Sequence, residues 1–173
     1  MSEEPQDPGT PSEAARIAAA RRSFSALAGP VQAHEPWPLA TAFGTGPEAS
    51  WGPRELLAHV AEMLPFWLGE LERIVDGGPG PVPFGRVTED AVRIGLIERD
   101  RTLPVRVLFA RVDAGLRDWE ERSASISPAQ RQKVGLHGRL GEIPLEQFLD
   151  RFVLGHAEEH IAQLRRILAE RAS

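Results

Sequence analysis

The clearest pattern in the chain is apolar residues recurring at helical spacing. Val105, Leu108, Phe109, Val112, Leu116 and Trp119 fall at i, i+3, i+4, i+7, i+11 and i+14, on one face of an α-helix. A second run, Leu56, Leu57, Val60, Leu64, Trp67, Leu68 and Leu71, predicts a helix from Pro53 to about Val75. Gly52 can cap it, Pro53 suits its first position and Glu55 puts an acid in its first turn. Pro65 lies inside this run and predicts a kink between Ala61 and Pro65, because proline has no N–H to donate. Ser12 is the expected N-cap of an earlier helix with Ile17, Phe24 and Leu27 on one face, stopped after Leu27 by Gly29-Pro30. A short helix is expected over residues 88–99, capped by Thr88. Thr102 is the expected cap of the 105–119 helix, with Pro104 in its first turn. Pro144 opens a last helix that runs to about Ala169.

The remaining segments read as connections. Residues 29–52 carry Pro30, Pro36, Pro38, Gly44, Gly46 and Pro47, and connections this long are functional or pack as covers. Trp37 and Phe43 predict that this one folds back on the body. Ser123 to Gly141 is a second long connection. Residues 1–11, acidic and Pro-rich, read as a disordered tail with neither the basic nor the apolar region of a signal peptide, which makes the cytoplasm the expected location. No repeat and no strand alternation stand out. The fold class expected is therefore all-α: one four-helix-bundle domain over residues 12–173, with long connections and a short extra helix.

Composition narrows the function. Apolar residues make up 42% of the 173, enough for a real core. No apolar run is long enough to span a bilayer, so no membrane partner is expected. The absence of cysteine excludes disulfides, thiolate ligands and a cysteine nucleophile, so any thiol chemistry needs a thiol from outside. A formal charge of −5 without a basic stripe argues against nucleic acid.

Two histidines stand out. His156 and His160 lie four residues apart, which on a helix places both on one face about 6 Å apart. Two imidazoles so placed can share one ion at about 2.0–2.1 Å. They continue the stripe of Leu145, Leu149, Phe152 and Ile167, and a buried imidazole needs a partner for each nitrogen. His59, in line with Met63 and Phe66, offers a third nitrogen from a facing helix. Three neutral nitrogens with a position left open suit a catalytic metal. Spacing alone leaves ordinary interior histidines as the competing reading. His34 and His137 read as loop residues, with His137 placed to hang over the site. Met63, Trp67, Phe109, His137 and Phe152 are the pocket candidates, equally suited to plain packing. Glu62, three residues from His59, is the candidate general base. Glu158 and Glu159 turn away from the histidine face.

The segments Trp51-Gly52-Pro53-Arg54-Glu55-Leu56-Leu57-Ala58-His59 and Phe152-Val153-Leu154-Gly155-His156-Ala157-Glu158-Glu159-His160-Ile161-Ala162-Gln163-Leu164 resemble the DinB-like (DinB/YfiT) superfamily of metalloenzymes. That family has a tryptophan before its second helix, a histidine one to two turns in, and an HxxxH on its last helix; the resemblance spans about residues 12–170. It implies a mirror variant of the up-and-down four-helix bundle, often a homodimer, with His59, His156 and His160 as ligands to zinc or nickel. Relatives include enzymes that use low-molecular-weight thiols, so the resemblance implies a metal-dependent transferase, or a related hydrolase, acting on a small-molecule substrate with such a thiol as cosubstrate. The 29–52 connection and Pro65 depart from the family pattern, so substrate and pocket shape do not carry over. A non-catalytic small-ligand-binding or stress-response bundle stays open beside it.

Overall fold

A computed structural model describes residues 11–41, 43 and 48–172 of the chain. The tail expected to be disordered, residues 1–11, lies outside these except for its last residue. Helix α1 is Glu13–Ala33 and α2 is Pro53–Asp76, with a 3-10 turn Glu48–Ser50 between them. Strand β1 (Val82–Phe84) leads to α3 (Ala91–Asp100) and α4 (Val105–Ser125). A one-turn α5 (Pro128–Arg131) precedes β2 (Val134–His137) and β3 (Gly141–Pro144). The last helical run comprises α6 (Leu145–Leu149), a π-helical stretch Asp150–Leu154 and α7 (Gly155–Arg171).

The chain is thus mostly helical, and its long helices share one core. α1 packs on α4 and α7, and α2 packs on α3, α4 and α7. The one-face pattern of α4 is the reason: Leu108, Val112, Leu116 and Trp119 are all buried, against Ile17 and Phe24 of α1 and Leu56, Val60 and Leu64 of α2 in the same cluster. Gly115 sets how closely α2 and α4 approach, because a Cβ there would stand 2.9 Å from the Leu64 Cβ. Trp119 satisfies its buried indole by donating from Nε1 to the Leu64 carbonyl at 3.0 Å. No helix among the described residues is long and apolar enough to cross a membrane.

Several expectations need correction. The fold is not purely α: β1 pairs parallel with β2, and β2 antiparallel with β3, in a three-stranded sheet. These strands are three or four residues long and contain Pro83, Gly135, Gly141 and Pro144, too short and interrupted to display a period of two. α1 does not stop before Pro30 but continues to Ala33. Val31 is fully buried, and the hydrophobic gain of burying it offsets the hydrogen bond lost at Pro30. The cap of α3 is Asp90, whose carboxylate accepts from the Arg93 N–H at 2.8 Å, not Thr88. Pro104 occupies the cap position of α4, and Thr102 instead donates to the Arg99 carbonyl at 2.7 Å to close α3. The Ser12 cap is as expected, accepting from the Ala15 N–H at 3.2 Å.

Replacing Gly115 with Val should overpack the α2–α4 contact and lower the unfolding free energy by about 1–3 kcal/mol. Urea denaturation checks this, and an unchanged midpoint would refute the close-packing role given to Gly115.

Candidate metal centre

Three imidazoles meet inside the helical core. His59 comes from the second turn of α2 and His160 from α7; both are only 3% exposed. His156 sits one turn earlier on α7 and is half-buried. The His59 and His156 Nε2 atoms are 2.9 Å apart. Ring centroids are separated by 5.1 Å for His59–His156, 5.1 Å for His59–His160 and 4.6 Å for His156–His160. The π-helical stretch just before Gly155 offsets the two halves of the last helical run and so fixes which way His156 and His160 turn. Gly155 belongs to that arrangement, since a Cβ there would lie 3.0 Å from the Asp150 carbonyl oxygen.

A fourth donor arrives from the connection. Glu48, on the 3-10 turn before α2, places Oε2 at 3.4 Å from His156 Nε2, 3.7 Å from His160 Nε2 and 3.8 Å from His59 Nε2. Its other oxygen, Oε1, accepts from the Arg93 guanidinium. Sequence reasoning missed Glu48. The available signal was its position in a connection already expected to cover the body, three residues before Trp51. Trp51 packs edge-on to His59 with centroids 5.7 Å apart.

The orientation of the ligands is held from behind. Gln163, one turn beyond His160, donates from Nε2 to the Glu48 carbonyl at 2.9 Å. Its Oε1 is then free to accept from His160 Nδ1–H at 3.3 Å, which leaves the lone pair on His160 Nε2, facing the cluster. That Nε2 is buried and has no hydrogen-bond partner among the described residues. Gln163 and Arg93 were also missed. Gln163 was legible as the next position on the His156–His160 face, whereas Arg93, on α3, had no sequence mark.

Glu48, His59, His156 and His160 together could hold a metal ion: their ligand atoms all lie within 4.8 Å of one another. Four donors around an ion at about 2.0–2.1 Å stand about 3.3 Å apart in a tetrahedron; the His59–His156 distance and the three Glu48 distances, 2.9 to 3.8 Å, bracket that value. The fit also rests on the orphaned His160 nitrogen. A buried polar atom without a partner is costly, and a cation at the centre satisfies it together with the lone pairs of its neighbours.

The electrostatics favour the charge states that such an ion requires. Burial lowers the His59 pKa well below its usual value, against the attraction of Glu48. Burial, reinforced by His156, lowers that of His160 to about 4. Burial raises the Glu48 pKa, but the hydrogen bond with His156 and the charges of His59 and Arg93 outweigh it and bring the carboxyl down to about 2. His59 and His160 are thus neutral and Glu48 ionised near neutral pH.

The other candidates divide. Met63, Trp67 and Phe152 line a cavity of about 140 Å3 that opens onto Glu48, His59 and His156. Phe109 does not line it; it is buried in the core on α4. His137 is on β2 rather than in a loop, and its ring stacks on Phe152 with centroids 5.5 Å apart, behind the pocket wall. His34 caps the end of α1. Glu62 is held in a two-pronged pair with Arg86, both bonds 2.6 Å, and is not among the four clustered donors. Glu158 pairs outward with Arg16 at 2.8 Å. A second cavity, about 860 Å3, contains none of the histidines: it lies between α2, α3 and α4 and shares only Arg86 with the histidine pocket. Compared with protein-family models the sequence matches none, and no curated protein matches it.

Two outcomes are expected. His156→Ala or His160→Ala abolishes stoichiometric zinc binding with the helical circular dichroism retained, and Glu48→Ala weakens it, as judged by competition with a chelator. Retained stoichiometric metal in both histidine variants would refute the assignment. In chelator-treated protein, stability should be complete above pH 6.5 and fall as pH drops toward 4. The unfolded chain takes up the His160 proton near 6.5 and the folded chain only near 4, so acid favours unfolding by about 3 kcal/mol from this group. Glu48 extends the same trend from 4.5 down to about 2. Urea midpoints measured from pH 7 to pH 4 test this; a flat profile contradicts it.

Proposed function

We propose that this protein is a divalent-metal-dependent enzyme of the DinB-like superfamily, built on that family's four-helix-bundle topology, which transfers a low-molecular-weight thiol to a small electrophile. The convergence of His59, His156 and His160 on Glu48 Oε2 carries the reading. The Trp51-to-His59 and His156-to-His160 segments support the family assignment.

Held by Glu48, His59, His156 and His160, a zinc or nickel ion would supply Lewis acidity that favours the ionised form of a thiol or water near neutral pH. The protein's own groups do the rest. The three Nε2 atoms and the ionised Glu48 carboxylate provide donors and one compensating negative charge. Gln163 keeps the His160 proton on Nδ1 and the Nε2 lone pair inward. Met63, Trp67 and Phe152 form an apolar wall on one side of the cavity. Glu48 is the one donor on a connection rather than a long helix, so it is the donor best placed to yield room to a substrate. With no cysteine in the chain, the sulfur comes from a cosubstrate. Hydrolysis, with water in place of the thiol, is the related reaction.

A second reading has its own support. The 860 Å3 groove away from the histidines has the size of a small-molecule site and suits a non-catalytic ligand-binding protein.

Elemental analysis of protein purified without added metal, followed by turnover assays pairing small thiols with electrophiles, separates the two. Stoichiometric zinc or nickel with thiol-dependent turnover is expected, and both should vanish in His160→Ala. A protein that takes up no metal even from added zinc or nickel would overturn the enzyme reading.

A further inference from the structure

We infer that the mouth of the histidine pocket is a carboxylate-binding site, with Arg151 as the residue that receives the anion. The inference deepens the proposed function and rests on reading this pocket as the substrate site.

The case begins with charge accounting around the cavity. Three arginines line it: Arg86, Arg93 and Arg151. Arg86 is neutralised by Glu62, which takes both of its prongs, and its guanidinium lies 3.6 Å over the Phe66 ring. Arg93 is neutralised by Glu48 and also donates to the Thr88 carbonyl at 3.0 Å. The Arg151 guanidinium has no hydrogen-bond or ion-pair partner among the described residues. Its neighbour Asp150 pairs with Arg16 instead, through Oδ1 at 2.5 Å. Nor can Glu48, whose two oxygens face Arg93 and the imidazoles. The pocket therefore carries one uncompensated positive charge from side chains. The same charge is felt nearby: after burial, Arg151 is the leading influence that lowers the His137 pKa.

The position of that charge selects the shape of the ligand. Arg151 is exposed at the rim, on the π-helical stretch that also carries Phe152. Phe152, with Met63 and Trp67, forms the apolar wall, and His59 and His156 lie beyond. A cation at the mouth, an apolar wall and a nitrogen cluster behind it match a small molecule with one anionic end and an apolar body. The planar guanidinium fork fits a carboxylate through two parallel bonds, and a single unpaired cation balances a monoanion better than a dianion. A cavity of about 140 Å3 holds a compact acid and not a long chain.

Benzoate is the probe, with benzamide as its neutral counterpart and phenyl phosphate as the doubly charged one. Binding to the full-length, chelator-treated protein is followed by tryptophan fluorescence, since Trp67 is on the wall. Saturable benzoate binding is expected, with benzamide much weaker. Arg151→Gln should raise the benzoate Kd by about 10- to 100-fold, the loss expected for a charge-assisted hydrogen-bonded pair. Arg151→Lys should fall between, and Arg139→Gln, a nearby arginine outside the pocket lining, should leave the Kd unchanged. Circular dichroism establishes that each variant is folded. The inference is overturned if benzoate does not saturate, if benzamide binds equally well, if Arg151→Gln binds as the parent does, or if phenyl phosphate binds more tightly than benzoate. Zinc uptake is measured on the same preparations. Benzoate binding without zinc uptake removes the metal reading alone, and zinc uptake without benzoate binding removes the anion site alone.

Discussion

Buried imidazole nitrogens must be satisfied, and in this protein that requirement organises the centre of the molecule. Three Nε2 atoms point at one another and at one carboxylate oxygen. Without a cation, neutral rings in that arrangement lack enough protons to donate and leave the His160 nitrogen unpartnered. Charging the rings would place positive charges a few ångströms apart in a low-dielectric core, which the depressed His59 and His160 pKa values oppose. The helical core thus holds a cluster whose own groups do not close its hydrogen bonding, a deficit that a cation held by the four residues could resolve.

The cluster depends on how the chain between α1 and α2 is tied down. Glu55, fully buried in the first turn of α2, accepts from the Gly52 N–H at 3.2 Å, from the Ala40 N–H at 2.8 Å and from Arg101 at 3.2 Å. Arg101 also donates to the Ala40 carbonyl at 3.0 Å and stacks over Phe43. Trp37 buries its ring and donates from Nε1 to the Val31 carbonyl at 2.8 Å. These contacts fasten the connection at both ends of the stretch that carries Glu48. A residue that reads as a first-turn acid for the helix dipole therefore also secures the cover over the histidine cluster.

The long helices were legible because each buries one continuous face, and a 3.6-residue period shows through any single sequence. The histidine trio was legible for the same reason: two of its members share a helix face, and the third continues the face of α2 toward Met63. The sheet was not, because a strand of three or four residues has no room to express its period. The end of α1 was misjudged because a local rule, that Pro30 ends a helix, lost to the tertiary gain of burying Val31. Glu48 and Arg93 stayed hidden for a deeper reason. They reach the site from a connection and from a short helix, so their proximity to the histidines is purely three-dimensional. Glu62 shows the converse: closeness in sequence to His59 promised a role at the centre, and the side chain points to Arg86 instead.

Glu48 differs from the three histidines in what would have to move to displace it. The imidazoles ride on helices whose departure means losing the core, whereas the carboxylate is borne by a single 3-10 turn held by Gln163, Arg93 and the Glu55 network. Local opening of such a segment takes less free energy than global unfolding. The residence time of an ion held there would then be governed by that sub-global fluctuation, so that slow global unfolding would not by itself mean slow exchange of the ion.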